Sequence, residues 1–271
     1  MHPPPIDPIA IQLGPLTVRW YGVIMVSAIL LGTWLAGREA RRLGLSADFV
    51  YDLALWVVPS AIVGARLYEV FILSWGYYRE HPAEIPAIWL GGLAIHGAVF
   101  GGALAGYLYL RRHRADFWLW ADIAAPSVIL GQAIGRWGNF FNQEAYGTPA
   151  PDWVVRLLPP VIREQMWIGG TYVHPTFLYE SLWNLAVFAF LLWLRRRNPR
   201  RGVVFLAYVA GYNLGRFVIE GIRTDSSFLP GGLRIAQVVA LGLLVLGLIG
   251  IPWRRRVAGA RYADVPGAPP A

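Results

Sequence analysis

Phe117-Trp118-Leu119-Trp120-Ala121-Asp122-Ile123-Ala124-Ala125-Pro126-Ser127-Val128-Ile129-Leu130-Gly131-Gln132-Ala133-Ile134 is an apolar run that passes, with no spacer, into Gly135-Arg136-Trp137-Gly138-Asn139-Phe140-Phe141-Asn142-Gln143-Glu144. The first stretch is close to the roughly 20 residues that a helix needs to cross a bilayer. The second places a guanidinium, amides and a carboxylate at its end. Such groups are costly at the edge of hydrocarbon unless they face protein or a wet cavity, so they mark a functional site by default.

The rest of the chain repeats the apolar pattern. Its 271 residues are 56% hydrophobic and only 15% charged, which rules out reading the length as one or two soluble domains. Seven spans are predicted, at 20–37, 49–73, 88–110, 117–134, 176–194, 203–220 and 235–252. Glycines thin the third, and Asp122 and Pro126 interrupt the fourth. The fold class is therefore an all-α integral membrane protein of about seven transmembrane helices with a small extracytoplasmic head.

Arginines set the expected orientation. Arg38, Arg41 and Arg42 follow the first span; Arg111, Arg112 and Arg114 the third; Arg195, Arg196, Arg197, Arg200 and Arg201 the fifth; and Arg254, Arg255 and Arg256 the seventh. Basic clusters after every odd span put the N-terminus outside and the C-terminus in the cytoplasm. The net charge of +8 would suggest nucleic acid in a soluble protein, but here most of the excess lies in these loops, so no nucleic-acid partner is expected. All 24 basic residues are arginine, which excludes lysine Schiff-base chemistry and a P-loop lysine. Cysteine is absent, which excludes thioester enzymes, disulfides and thiolate metal sites. Residues 1–8 lack the basic start of a signal peptide.

Four regions are expected. Residues 1–19 form an outer-surface arm, with a hairpin suggested by Ile9, Ile11, Leu13, Leu16 and Val18 around Gly14-Pro15. Residues 20–253 form the polytopic membrane domain. Within it, 145–175 is the outer head, where Pro149, Pro151, Pro159 and Pro160 forbid one continuous helix. Residues 254–271 are a basic cytoplasmic tail, expected to be disordered from Val257 onward. Residues 74–87 carry the belt aromatics Trp75, Tyr77 and Tyr78, and no internal repeat is evident.

Polar residues gather at one depth. Arg66, His96, Arg136, Asn139 and Glu144 fall toward the outer ends of their spans, as do Tyr212, Arg216 and Glu220 at steps of four, with Arg223 three further on. Four-residue steps rotate a helix by only about 40°, so that ladder shares one face. Each also has a plain reading: Arg216 and Glu220 as an i,i+4 ion pair, His96 as a core histidine, and the glycines at 91, 92, 97, 101, 102 and 106 as a helix-packing surface. Asp52 and Asp122 near helix starts read as structural, and Tyr179 and Glu180 after Pro175 remain open. Several arginines around one outer cavity with few acids make an anion site, and guanidinium forks suit phosphate. Nearby positive charge would keep His96 neutral and able to accept a proton.

These residues resemble bacterial prolipoprotein diacylglyceryl transferases from Ile6 to about Trp253. The run Gly135 to Glu144 is similar to that family's G-R-x-G-N-F-x-N-x-E signature. Supporting matches are Arg19-Trp20-Tyr21-Gly22, Gly64-Ala65-Arg66, His96-Gly97, His174-Pro175 with Tyr179-Glu180, and Tyr212 with Arg216 and Glu220. The resemblance implies transfer of a diacylglyceryl group from phosphatidylglycerol to the lipobox cysteine thiol of a prolipoprotein, with glycerol phosphate leaving. It implies no cofactor or metal, and the bacterial cytoplasmic (inner) membrane as location, with the active site toward the outer leaflet. Expected catalytic residues are His96, Arg136 and Arg216. Tyr21, Arg66, Asn139, Glu144, Tyr212, Glu220 and Arg223 are expected to bind and support the lipid headgroup. An anion transporter with Arg66, Arg136 and Arg216 along its path is the rival reading. A phosphatidyltransferase would want a D-G-x-x-A-R aspartate cluster and a rhomboid G-x-S-G, and neither is present.

Overall fold

A computed structural model describes residues 4–265 apart from 15, 230 and 258. The chain opens with strands β1 (Ile9–Leu13) and β2 (Leu16–Arg19), paired antiparallel as the expected hairpin arm. Helices α1 (Trp20–Arg42) and α2 (Ala47–Tyr68) follow, then a π-helical segment Glu69–Leu73 and the short α3 (Trp75–Tyr78). After α4 (Ile95–Arg112) and α5 (Phe117–Asn142) come α6 (Asp152–Leu157), α7 (Pro160–Gln165) and the two-residue strands β3 (Trp167–Ile168) and β4 (Thr171–Tyr172). Helices α8 (Thr176–Arg196), α9 (Val203–Glu220) and α10 (Ile235–Arg256) complete the fold.

Among the described residues, six helices are long and apolar enough to cross a membrane: Trp20–Arg42, Ala47–Leu73, Phe117–Asn142, Thr176–Arg196, Val203–Glu220 and Ile235–Arg256. Many apolar side chains on them face outward, including Leu55 (72% exposed) and Leu30 (66% exposed). Soluble monomers rarely leave so much contiguous apolar surface open, whereas lipid covers it. The predicted third span, 88–110, is not helical throughout. Gly91 and Gly92 adopt φ of 93° and 67°, a left-handed backbone that glycine tolerates, and the helix starts only at Ile95.

The predicted fourth span also needs correction, since α5 continues to Asn142 and carries the signature from Gly135 to that residue. Its glycines serve packing rather than turning: a Cβ at Gly135 would press on Met25 Sδ at 3.3 Å, and one at Gly138 would enter the Tyr21 ring.

The chain divides into two compact units, Gly37–Trp120 and Met1–Ala36 with Ala121–Ala271. In the former, α2 and α4 meet at glycines: a Cβ on Gly97 would collide with the Gly64 carbonyl, and one on Gly101 with that of Ser60. Close approach of small residues is the usual device for packing helices in lipid. The packing surface expected of the glycines is therefore made by Gly97 and Gly101, with Gly102 and Gly106 in ordinary contact with Ala61 and Val57 of α2, while Gly91 and Gly92 form the turn.

In the other unit the core gathers Ile129 of α5, Leu191 of α8, and Val203, Val204 and Ala207 of α9. Asp122, fully buried on α5, accepts from the N–H groups of Gly202 (2.6 Å) and Phe205 (2.7 Å). It thus caps the start of α9, satisfying backbone donors that a helix leaves free. A structural role was expected, but the dipole it meets belongs to another helix. The head core joins Ile162, Met166 and Val173 to Phe140 and Phe177. Gln165 ties it down by donating to the Phe140 carbonyl and accepting from the Ile6 N–H.

The tail differs from expectation over residues 259–265. Tyr262 is fully buried and its N–H donates to the Pro199 carbonyl, while Arg201 donates to the carbonyls of Arg261 and Asp264. A buried aromatic ring and charge-assisted hydrogen bonds offset the ordering entropy that a free tail would keep. Residues 266–271 lie outside the described residues.

Candidate active site

The signature helix α5 delivers Arg136 to a carboxylate on α8. Arg136 Nε makes an ion pair with Glu180 Oε2, and Arg216 NH1 on α9 donates to Glu180 Oε1 at 3.0 Å. Arg223, just beyond α9, places NH1 3.3 Å from the same Oε1. Glu220 is a second hub, 2.8 Å from Arg216 NH2, 3.7 Å from Arg223 Nε, and accepting from Ser226 Oγ at 2.7 Å. Glu180 and Glu220 are both buried. Burying such charges is tolerable only because each is paired and hydrogen-bonded.

The three arginines differ in access. Arg223 is 8% exposed and bound by Asp225 through two hydrogen bonds, of 2.9 and 2.6 Å. Partial burial opposes ionisation of Asp225, but those bonds outweigh it and hold the carboxyl below the usual range. Arg136 and Arg216 are 20% and 21% exposed. Neither terminal nitrogen of Arg136 donates a hydrogen bond to a described residue, so its fork stays available. Arg136, Glu180, Trp183, Asn184, Tyr212 and Arg216 line one small cavity.

On α9, Tyr212 and Arg216 both line the cavity, and the i,i+4 ion pair of Arg216 with Glu220 forms. Asn139 donates to Glu144 at 2.8 Å. Glu144 therefore orients an amide, and the carboxylate that holds Arg136 is Glu180, which the expected site set omits. The expectation of few acids near the arginines is corrected by Glu180, Glu220 and Asp225. Tyr21 packs its ring on Gly138, within the electrostatic reach of Glu144 and Arg136.

Backbone strain flanks the signature carboxylate. Gln143 and Ala145 take φ of 50° and 56°, a region costing an L-residue roughly 1–2 kcal/mol. Gln143 Nε2 donates to the Gln165 carbonyl, and Thr176 Oγ1 to that of Ala145, so the head holds the conformation. Nearby, His174 is 3.1 Å from the Tyr179 hydroxyl, and burial lowers its imidazole below the ordinary range.

Arg66 and His96 belong to the other unit. Arg66 is 6% exposed and donates to the carbonyls of Glu84, Ile85, Gly91 and Gly92, with its guanidinium stacked over Tyr78. Its donors are occupied, which corrects its expected role as a headgroup ligand: it pins the loop that leads into α4. His96, in the first turn of α4, is exposed with its ring 5.8 Å from that of Tyr68.

Glu180, Asn184 and Asp225 were the omissions. The available signal for Glu180 was a carboxylate in an apolar span, five residues after Pro175. Asn184 had none, because an isolated amide on an apolar helix does not reveal what it faces.

Fold and site define a polytopic membrane protein with a guanidinium cluster held by buried carboxylates. The sequence profile of the family described as prolipoprotein diacylglyceryl transferase matches residues 8–253, and the chain belongs to that family. It is similar to the phosphatidylglycerol–prolipoprotein diacylglyceryl transferase of Symbiobacterium thermophilum, at 59% identity over 248 residues and 92% of each chain. Those of Geobacillus kaustophilus and Bacillus velezensis are each 52% identical, over 273 and 264 residues, covering 96% of this chain and 97% of their own.

Proposed function

We propose that this protein transfers the diacylglyceryl group from phosphatidylglycerol to the lipobox cysteine thiol of a prolipoprotein, the first step in lipoprotein maturation. The observation that supports it most is the meeting of Arg136 and Arg216 on the two oxygens of Glu180. Two part-exposed guanidinium groups so close together form a receptor for a phosphodiester.

The thiol, with an ordinary pKa of about 8.5, must lose its proton to become a good nucleophile. His96 is assigned as the base. The thiolate sulfur attacks the glyceryl carbon that bears the phosphate, a carbon–sulfur bond forms, and the carbon–oxygen bond breaks. The electron pair leaves on glycerol phosphate, whose growing charge Arg136 and Arg216 stabilise. Preorganised donors to developing charge are each worth about 2.7–4 kcal/mol. Glu180 and Glu220 hold the guanidinium planes. Tyr21, Asn139 and Tyr212 supply hydrogen bonds around the headgroup, Glu144 orients Asn139, and Arg223 braces both glutamates.

The location proposed is the bacterial inner membrane, with the site toward the outer leaflet. Two or more arginines end α1, α4, α8 and α10, whereas the last turns of α5 and α9 carry none and that of α2 holds Arg66 alone. That alternation favours counting α4 as a seventh crossing, since 18 residues of helix reach about 27 Å.

The test is purified protein incubated with phosphatidylglycerol and a lipobox peptide, read by mass spectrometry. The peptide should gain one diacylglyceryl group, and its Cys→Ser form none. Lipid left intact while anions cross proteoliposomes would replace this reading with transport.

A further inference from the structure

We propose that Asn184 donates a hydrogen bond to an acyl-ester carbonyl of the donor lipid and so selects ester-linked over ether-linked lipid. The assignment deepens the transferase reading above and rests on it. Asn184 is 2% exposed, and its amide nitrogen has no hydrogen-bond partner among the described residues. Buried amides are nearly always paired, because an unmade bond leaves the group stripped of water with nothing in return. An orphan of this kind, on the wall of the cavity shared by Arg136 and Arg216, points to a group that arrives with the substrate.

Position says which group. Asn184 follows Glu180 by four residues on α8, so both share one face and are separated by about 6 Å along the axis. Helix α8 runs away from the head, so Asn184 lies deeper than the carboxylate that gathers the arginines. In a glycerophospholipid whose phosphate sits on those guanidinium groups, the next acceptors toward the acyl chains are the ester carbonyl oxygens. They accept and cannot donate, matching a side-chain N–H. Charge agrees, since the cations take the anion and the neutral amide is left for a neutral oxygen.

Room agrees as well. The cavity measures about 10 Å³, space for a single water-sized group, and Trp183, Gly215 and Ile219 complete its wall. One carbonyl oxygen fits that space. A diether analogue has the same charge and similar shape but lacks that oxygen, and a site built to bond an absent group discriminates against its absence.

The experiment compares diester and diether phosphatidylglycerol as donors to one lipobox peptide. The unaltered protein should favour the diester in kcat/KM by about tenfold, within the range expected for one buried unpaired donor. In Asn184→Ala that ratio should fall to about one, and Asn184→Ser, which keeps a shorter donor, should recover part of it. Thermal stability in detergent should not drop in Asn184→Ala, because no protein bond is lost; a purely structural asparagine would lower it. Equal use of the two lipids by the unaltered protein overturns the assignment and needs no variant. A ratio unchanged in Asn184→Ala overturns it too. Transfer from neither lipid would instead sink the transferase reading itself.

Discussion

Arg216 reaches 36 residues back along the chain to Glu180, with NH1 3.0 Å from Oε1, while Arg136 meets the other oxygen of that carboxylate. Helices α5, α8 and α9 are thereby joined at one point, where the buried acid sets the spacing of two guanidinium groups. Had these arginines faced apart, no phosphodiester could bridge them.

Arg136→Ala should cut transfer at least a hundred- to thousandfold while the protein still inserts, as losing a donor to developing charge does. Arg136→Lys should restore little, because an ammonium lacks the planar fork. Glu180→Gln should lower stability as well, since it removes the acid paired with Arg136 and one of the acids paired with Arg216 and Arg223. Transfer assays and thermal unfolding in detergent check all three.

For His96, replacement by Ala should lower the rate by about two to four orders of magnitude at neutral pH. Raising the assay from pH 7 to 9 should recover part of it, because the thiol then ionises unaided. A deficit that stays constant across that range would make His96 a positioning residue.

Gly97→Ala should destabilise the α2–α4 pair by about 1–3 kcal/mol, since the new methyl would strike the Gly64 carbonyl and backbone cannot yield cheaply. Activity should fall as well, through displacement of the adjacent His96. A thermal scan and a transfer assay of the single variant suffice.

Stability should depend on pH through His174, whose imidazole burial keeps below its ordinary pKa. Above about pH 6.5 both folded and unfolded chains hold it neutral. As pH falls below that value the unfolded chain takes the proton first, so stability declines until pH passes the folded pKa, then levels. His174→Gln should show a smaller loss between pH 7 and 5.

Tyr262→Ala should lower the melting temperature by removing a fully buried ring, a change that costs about 3–5 kcal/mol for large aromatics. Added proteolysis near Arg200 and Arg201 would report the loosened α8–α9 connection. An unchanged melting point would mean that the tail contributes nothing to holding it.

Apolar length and arginine placement made the membrane helices legible, and the four-residue step from Tyr212 to Glu220 made the α9 face legible, because helical periodicity is local. Failures came where geometry is long-range. Arg66 reads like the other arginines until the carbonyls of residues 84–92 fold over it. Glu180 reads like a helix-start carboxylate until α5 and α9 bring their arginines to it. The glycines of the 88–110 region look alike in sequence, yet two turn the backbone and others admit a neighbouring helix.

What the sequence determined alone was the class of the protein, its helices and the signature that places it in its family, since each is written in adjacent or periodic residues. Which arginine faces an acid, which faces backbone and which keeps a free fork was decided only by tertiary structure. A buried charge takes its meaning from the partner that packing brings to it, and that partner lies dozens of residues away.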